Sequence, residues 1–314
     1  MNRMFPWLVT VTLAAAAAGA QNEGPAAAPA LAVEAIVANA NRVSYYQGRD
    51  GRAQVRMVVV DAQGRERTRE MTILRLDVPA AAAGSGDAKG GDGKRGDGEA
   101  PAAGAGKAPA AGDAAANPAP ADDAHCGEQK FYVRFRQPAD VDKTTFLVWK
   151  KPGQDDDRWL YLPALDLVKR VSSADKRSSF VGSHFFYEDV SGRHVAADTH
   201  ELVETTKNYY VVESKPVDAK SVEFAAYKMW IHRESFTVVK VEFRDAAGEV
   251  YRRYEVLGVE TVQGRPTVTK ARMSDLRSNG STTVTYSEVA YDLGLPDEVF
   301  TERYLRREPR QWLR

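Results

Sequence analysis

The chain has 314 residues, and its 43 basic and 43 acidic side chains give a formal net charge of zero. A protein that binds nucleic acid or an anionic membrane through bulk charge is usually basic, so this balance argues against both classes. A single cysteine excludes an intramolecular disulfide framework and a zinc site built from several thiolates.

Residues 1–20 have the pattern of a secretory signal peptide. Arg3 supplies a positive charge, residues 8–18 form an apolar core that is short for a bilayer span, and Ala18-Gly19-Ala20 forms an A-x-A cleavage site. No cysteine follows this site, so a lipoprotein anchor is not indicated. We expect an exported, soluble mature chain; the alternative is a membrane anchor that is left uncut.

The mature sequence begins with helical periodicity. Val33, Ile36, Val37, Ala40 and Val43 share one face at helical spacing, which predicts an amphipathic helix.

A tract rich in Ala, Gly, Pro and Asp occupies about residues 79–124. It has no aromatic residue and no apolar periodicity, so it cannot bury enough surface to offset the entropy of ordering, and we expect a disordered insert. Residues 71–78 and 130–138 on either side look like strands, and a long insertion in a hairpin costs little. Without the leader and the tract about 248 residues remain, so residues 21–314 are expected to form a single interrupted domain.

The rest of the chain alternates between apolar and polar residues. Turn signals at 62–64, 245–248, 263–264 and 279–280 join these segments into hairpins, which predicts a large antiparallel sheet. Residues 145–150 and 159–162 are apolar on both faces. Such strands are covered on both sides, either in a two-layered core or as the wall of a ligand-holding barrel.

Residues 138–190 carry the most distinctive order of motifs. WLYLPAL at 159–165 is followed by Lys169-Arg170-Val171, by Ser179-Phe180-Val181-Gly182-Ser183 and by FYED at 186–189. This block resembles the periplasmic outer-membrane lipoprotein-sorting protein family, the relatives of the lipoprotein carrier LolA, and most resembles the branch associated with RND/MMPL-type or ABC-type exporters. The resemblance extends more weakly to LPDEVFTERYLRR at 295–307. His184 departs from the pattern, because many relatives have an acidic residue there.

The resemblance implies a mainly β (α+β) fold. This is a half-open antiparallel β barrel with an N-terminal helix and with covering helices or loops. Its concave face would be apolar and would bind lipid or lipoprotein acyl chains. A location in the periplasm, a monomeric state and an inner-membrane RND/MMPL-type or ABC transporter as partner are implied as well.

Apolar and aromatic residues of the predicted strands and of the 180–186 segment are the candidate ligand-binding residues, and the alternative for each is that it packs in the core. They are Leu74, Leu76, Phe131, Val133, Phe135, Phe146, Val148, Trp159, Tyr161, Phe180, Phe185 and Phe186.

Residues 179–189 have two interpretations. They form either a mobile rim loop whose Phe side chains close the cavity, or a strand-to-helix turn with Ser183 as N-cap and Glu188-Asp189 as a solvated end.

Catalytic motifs are missing from the sequence. The five histidines form no H-E-x-x-H motif, and there is no G-x-S-x-G elbow and no phosphate-binding glycine loop. The sequence therefore predicts a protein that is not an enzyme and needs no metal or cofactor, and the resemblance implies a carrier or accessory protein that binds a hydrophobic ligand. The alternatives are a non-carrier module that docks on and regulates an RND-type exporter, and a hydrolase that uses His184 or His200.

Overall fold

The computed structural model describes residues 31–78, 127–151 and 153–314. The predicted signal peptide at 1–20 and the low-complexity tract at about 79–124 lie outside the described residues. Residues Ala32–Arg314 form one compact unit, to which every described strand belongs.

Thirteen strands form one sheet in which all neighbours are antiparallel. The strands are β1 (Asp50–Val60), β2 (Glu66–Val78), β3 (Glu128–Gln137), β4 (Thr145–Lys150), β5 (Asp157–Leu162), β6 (Leu167–Arg170), β7 (Asp198–Thr205), β8 (Tyr209–Pro216), β9 (Ala226–His232), β10 (Val238–Arg244), β11 (Val250–Val262), β12 (Arg265–Asp275) and β13 (Gly280–Tyr291). In the described part of the chain three α-helices accompany them, α1 (Val33–Tyr45), α2 (Tyr187–Ser191) and α3 (Arg303–Arg306).

The sheet consists of two meanders. Strands β1 to β6 form the first and β7 to β13 the second, and the pairing of β1 with β13 joins them. The sheet does not close, because β6 and β7 remain as its two edges. This architecture confirms the predicted mainly β, half-open antiparallel barrel.

The two edge strands follow one another in the chain, so residues 171–197 connect one edge of the sheet to the other. We call residues 171–197 the crossing segment. It contains short 3-10 turns and helix α2, and its side chains contact the concave face of the sheet. The crossing segment therefore lies over the open side of the half barrel.

Helix α1 covers another part of the concave face. Its residues Ile36, Val37, Ala40 and Val43 are buried and pack with a cluster from β8 to β10 that includes Ile231. The predicted amphipathic helix and its apolar face are confirmed.

Residues 292–314 cover the opposite, outer face of β2 to β5. The buried carboxylate of Asp50 accepts hydrogen bonds from three successive main-chain N–H groups, those of Leu293 (2.7 Å), Gly294 (2.9 Å) and Leu295 (3.0 Å). The residues packed between this segment and the sheet form one apolar cluster. They include Leu74, Leu76, Tyr132, Leu147, Trp159, Leu295, Val299, Phe300, Leu305 and Leu313. Strands β4 and β5 are apolar on both faces because both faces are covered.

The predicted hairpins are present, including the one that the low-complexity tract interrupts. Strand β2 pairs with β3 up to Val78 opposite Glu128, so the two strands that flank the tract form a single hairpin.

Candidate functional site

A cavity of about 440 Å³ lies between the concave face of the sheet, helix α1 and the crossing segment. Its volume falls within the range of roughly 300–1,000 Å³ that is common for small-molecule sites. The cavity is therefore large enough to hold a ligand.

The wall formed by the sheet is largely apolar. Met57 on β1 faces Val284 on β13, and Met229 on β9 faces Val241 on β10. Cross-strand partners point to the same face of a sheet, and all four of these residues line the cavity. Strands from both meanders therefore contribute to one apolar surface.

The crossing segment is attached to the concave face by polar contacts. The main-chain N–H of His184 donates to the hydroxyl of Thr282 (3.0 Å), and Nδ1 of His184 lies 2.9 Å from the same hydroxyl. Arg252 donates to the carbonyl oxygen of His184 (3.0 Å) and forms an ion pair with Asp189. These contacts fix the middle of the crossing segment against β11 and β13.

Helix α2 places the buried carboxylate of Glu188 among cations. Arg177 lies 2.9 Å from Glu188, and Arg193 lies 3.4 Å from it. Arg193 also pairs with Asp198 at 2.9 Å, and Arg177 donates to Glu223 at 3.0 Å. Burial alone would lower the pKa of Arg177, but its hydrogen bond to Glu223 and the surrounding carboxylates raise it. These charged groups are paired with one another rather than available to a ligand.

The predicted N-cap at Ser183 is wrong, and so is the expectation of a solvated Glu188. Helix α2 begins at Tyr187, and the carboxylate of Asp189 accepts from the N–H of Phe186 at 2.6 Å. Glu188 is only 6% exposed, because its arginine partners stabilise the charge inside the protein.

Neutral polar groups also reach the cavity. Tyr45 at the end of α1, Tyr254 on β11 and Tyr286 on β13 line it. Burial raises the pKa of Tyr286 to about 12 and also raises the pKa of Tyr45 and Tyr254, whose phenols additionally interact with each other and with Asp189. All three phenols are therefore uncharged at neutral pH.

Comparisons with a family model and with solved structures give the family and the fold of this chain. A family model with the description "-like: Uncharacterized protein" matches residues 127–307, which is more than half of the chain. A putative outer membrane lipoprotein-sorting protein domain from Vibrio parahaemolyticus is 24% identical, with a TM-score of 0.66 and coverage of 86% of this chain and 97% of that one. The chain belongs to the family of this model and has a LolA-like fold.

Two further solved structures share the fold of this LolA-like chain. A DUF1329 family protein from Desulfovibrio piger is 22% identical, with a TM-score of 0.66 and coverage of 87% of this chain and 98% of that one. A LolA superfamily protein from Nitrosomonas europaea is 17% identical, with a TM-score of 0.58 and coverage of 88% of this chain and 100% of that one. No curated protein matches the sequence.

Three of the twelve candidate residues line the LolA-like cavity. They are Phe131 on β3 and Phe180 and Phe185 on the crossing segment. Phe186 instead lies between two guanidinium groups, with Arg252 at 4.0 Å and Arg177 at 4.7 Å from its ring centre. Two Phe side chains of the crossing segment thus face the cavity, and the third helps to hold the segment on the sheet.

Four other candidates lie on the concave face but outside the cavity lining. Val133, Phe135, Phe146 and Val148 belong to a buried cluster beneath the crossing segment. The ring of Phe180 lies 5.9 Å from that of Phe135 and 5.6 Å from that of Phe146. The crossing segment therefore fills this part of the concave face, and the cavity is lined instead by residues of β1 to β3 and β9 to β13.

The remaining four candidates lie on the outer face. Leu74 pairs with Tyr132, and Trp159 pairs with Leu147, all of them beneath residues 292–314. Leu76 and Tyr161 share this face. The expectation that Leu74, Leu76, Trp159 and Tyr161 line the cavity is corrected here, because the inward positions of β2 and β5 include Ile73 and Leu160 instead.

None of the twelve candidate residues lies on β9 to β13, although these strands supply much of the cavity wall. The signal was present as alternation, since Met229 and Tyr227 on β9 and Val284 and Tyr286 on β13 are two residues apart and all line the cavity.

Among the described residues three histidines have a hydroxyl partner, namely His184, His200 and His232. The first two are the candidates for a hydrolase, but the hydroxyl beside each of them lies outside the cavity. His200 Nδ1 lies 2.8 Å from the hydroxyl of Ser214, and His184 Nδ1 contacts Thr282. Both hydroxyl residues are fully buried and neither lines the cavity. Within residues 31–78, 127–151 and 153–314 there is no group of His, Cys, Asp and Glu suited to a metal ion, and no helix is long and apolar enough to cross a bilayer.

Proposed function

We propose that this LolA-like protein is a periplasmic carrier or accessory protein that binds a hydrophobic ligand, such as a lipid or lipoprotein acyl chains. The observation that carries the proposal is the apolar cavity of about 440 Å³ enclosed by the sheet, α1 and the crossing segment. Phe131, Phe180 and Phe185 are the predicted ligand contacts that line it. The name of the Vibrio relative, a putative lipoprotein-sorting domain, supports the same class of cargo.

The mechanism is burial and release rather than bond chemistry. Each buried methylene contributes about 0.8 kcal/mol, so an acyl chain of ~16 carbons contributes up to ~12 kcal/mol before the costs of association. Spontaneous release into water is slow at such values. We therefore propose that the protein receives or delivers its ligand in contact with an inner-membrane RND/MMPL-type or ABC transporter and with the outer membrane.

The proposal can be tested by a substitution that fills part of the cavity with a larger side chain. Ala53 on β1 lines it and pairs with the inward-facing Ile73. In Ala53→Trp the indole should displace at least about two methylenes of a bound chain, which costs ~1.6 kcal/mol and weakens binding about fifteenfold. Uptake of a fluorescent lipid by the delipidated mature chain measures this. The matched control is Arg56→Trp, on the exposed opposite face of the same strand.

The proposal fails if the folded wild type takes up no lipid, or if both Trp variants bind equally well. The competing function, a docking module that regulates an exporter without carrying cargo, is separated by the content of the cavity. Native mass spectrometry of protein purified from the periplasm should show bound lipid for a carrier and none for a docking module.

The proposed compartment requires export. We expect N-terminal sequencing of the periplasmic protein to begin at residue 21 and size-exclusion chromatography to show a monomer. A membrane-bound chain that keeps residues 1–20 would contradict this part of the proposal.

A further inference from the structure

Three of the polar groups at the cavity are neutral phenols whose hydroxyls have no hydrogen-bond partner among the described residues. Tyr45, Tyr254 and Tyr286 come from three different elements and line the same cavity. In the described part of the chain none of the three phenol hydroxyls forms a hydrogen bond. A donor held in an apolar site without a partner is costly, so a ligand that supplies an acceptor gains affinity there.

His194 adds a fourth donor of the same kind. Its Nδ1 accepts a hydrogen bond from the N–H of Ala196 at 3.2 Å, so the neutral ring carries its proton on Nε2. This Nε2 is buried, has no partner among the described residues and belongs to a residue that lines the cavity. Burial, and then the charge of Lys150, lower the pKa of His194 and keep the ring neutral.

Three of the cations at the cavity, Arg75, Arg177 and Arg193, are already paired. Arg75 binds Asp77 at 2.7 Å and the main-chain carbonyl oxygen of Gly48 at 2.9 Å, and the arginines around Glu188 have carboxylate partners. Arg52 also borders the cavity, but its cross-strand partner is Leu74, so its side chain belongs to the outer face. An ionised ligand head would therefore enter the cavity without a counter-charge, which is strongly unfavourable.

We propose that the ligand carries a neutral carbonyl group at the head of its apolar chain, as an acyl ester or amide does. The carbonyl oxygen, which has two lone pairs, accepts from two of the phenols of Tyr45, Tyr254 and Tyr286, while the chain lies on the apolar wall. This inference deepens the proposed carrier function and rests on it. It names the class of cargo as neutral acylated molecules rather than free fatty acids.

Three ligands with the same chain of about sixteen carbons test the assignment. They are methyl palmitate, hexadecane, which lacks the carbonyl, and palmitate, which is ionised at about pH 8. Each displaces the neutral fluorescent probe N-phenyl-1-naphthylamine from the delipidated mature chain. We expect the wild type to bind the ester at least about tenfold more tightly than either other ligand.

The variant is the triple substitution Tyr45→Phe, Tyr254→Phe and Tyr286→Phe, which keeps the rings and removes only the hydroxyls. It should bind hexadecane as the wild type does and should lose most of the preference for the ester. The control is Tyr161→Phe on the outer face, which should change nothing. If the triple variant does not fold, the three single variants provide the same comparison.

The outcomes separate this inference from the carrier function. Equal binding of all three ligands, tighter binding of palmitate, or an ester preference that survives the triple substitution overturns the neutral-carbonyl assignment and leaves the carrier intact. Failure of the wild type to bind the probe or any ligand overturns the carrier function itself.

Discussion

Gly280 is the position at which one added methyl group should reveal how the crossing segment is held. A Cβ atom at residue 280 would overlap the imidazole of His184, which lies directly against the glycine. The backbone of Gly280 lies outside the left-handed region, so its dihedral angles would suit an alanine. The neighbouring Asn279, with a φ of 54°, is the residue in the left-handed region. The glycine is therefore required by the contact with His184 and not by the geometry of the turn.

The loss of stability expected for Gly280→Ala follows from the hydrogen bonds that His184 would lose. Displacing the ring breaks its contact with the hydroxyl of Thr282, which is fully buried, and strains the adjacent N–H bond to the same hydroxyl. Losing one such hydrogen bond costs about 0.5–1.5 kcal/mol, and overpacking adds about 1 kcal/mol. We expect Gly280→Ala to destabilise the protein by about 2 kcal/mol.

A double-mutant cycle with His184→Ala isolates this contact. In the His184→Ala background the obstacle is absent, so adding Gly280→Ala should change the free energy of unfolding by no more than about 0.5 kcal/mol. Urea unfolding followed by tryptophan fluorescence gives the four free energies. A coupling energy of at least about 1 kcal/mol supports the reasoning. If Gly280→Ala is equally damaging with and without His184, the proposed packing of the crossing segment on β13 is refuted.

Three further predictions concern stability. Gly192 has a φ of 78°, and a Cβ there would lie 2.8 Å from the ring of Tyr45, so Gly192→Ala should lower the free energy of urea unfolding by about 1–3 kcal/mol. Burial opposes ionisation of Glu223, but its hydrogen bond and ion pair with Arg177 lower its pKa below the ordinary value. The stability that this carboxylate contributes is therefore present above its unfolded-state pKa and is lost as the pH falls through its folded-state pKa. Glu223→Gln should accordingly flatten the acid limb of a curve of unfolding free energy against pH. Leu74→Ala should cost about 2–5 kcal/mol but leave lipid affinity unchanged, and a weakened affinity would contradict its place on the outer face.

The sequence was sufficient for the elements that have a clear period. Helix α1 repeats its apolar residues at helical spacing, and strand β3 alternates Phe131, Val133 and Phe135 with more polar neighbours. In both cases the sequence marks one clearly apolar face, and the structure buries that face where the period places it, although β3 is buried on its other face as well. The hairpin turns followed from short signals that act within a few residues of the chain.

Strands β2 and β5 show where local periodicity stops being informative. In β2 both Leu74 and Ile73 belong to buried clusters, but on opposite faces, because residues 292–314 cover one side and the crossing segment and cavity occupy the other. Alternation then cannot distinguish the inner face from the outer one. The register with β3, in which Leu74 pairs with Tyr132, decides the question, and that pairing is a long-range property.

The polar side of the cavity depends even more on long-range packing. Tyr45, His194 and Tyr286 are far apart in the sequence, and nothing near any of them marks it as a ligand contact. They converge because β1 pairs with β13 and because the crossing segment must return from one edge of the open sheet to the other. A hydroxyl at the end of an amphipathic helix is ordinary in a sequence. It becomes a favourable ligand contact only when the fold surrounds it with apolar side chains and leaves it without a hydrogen-bond partner in the protein.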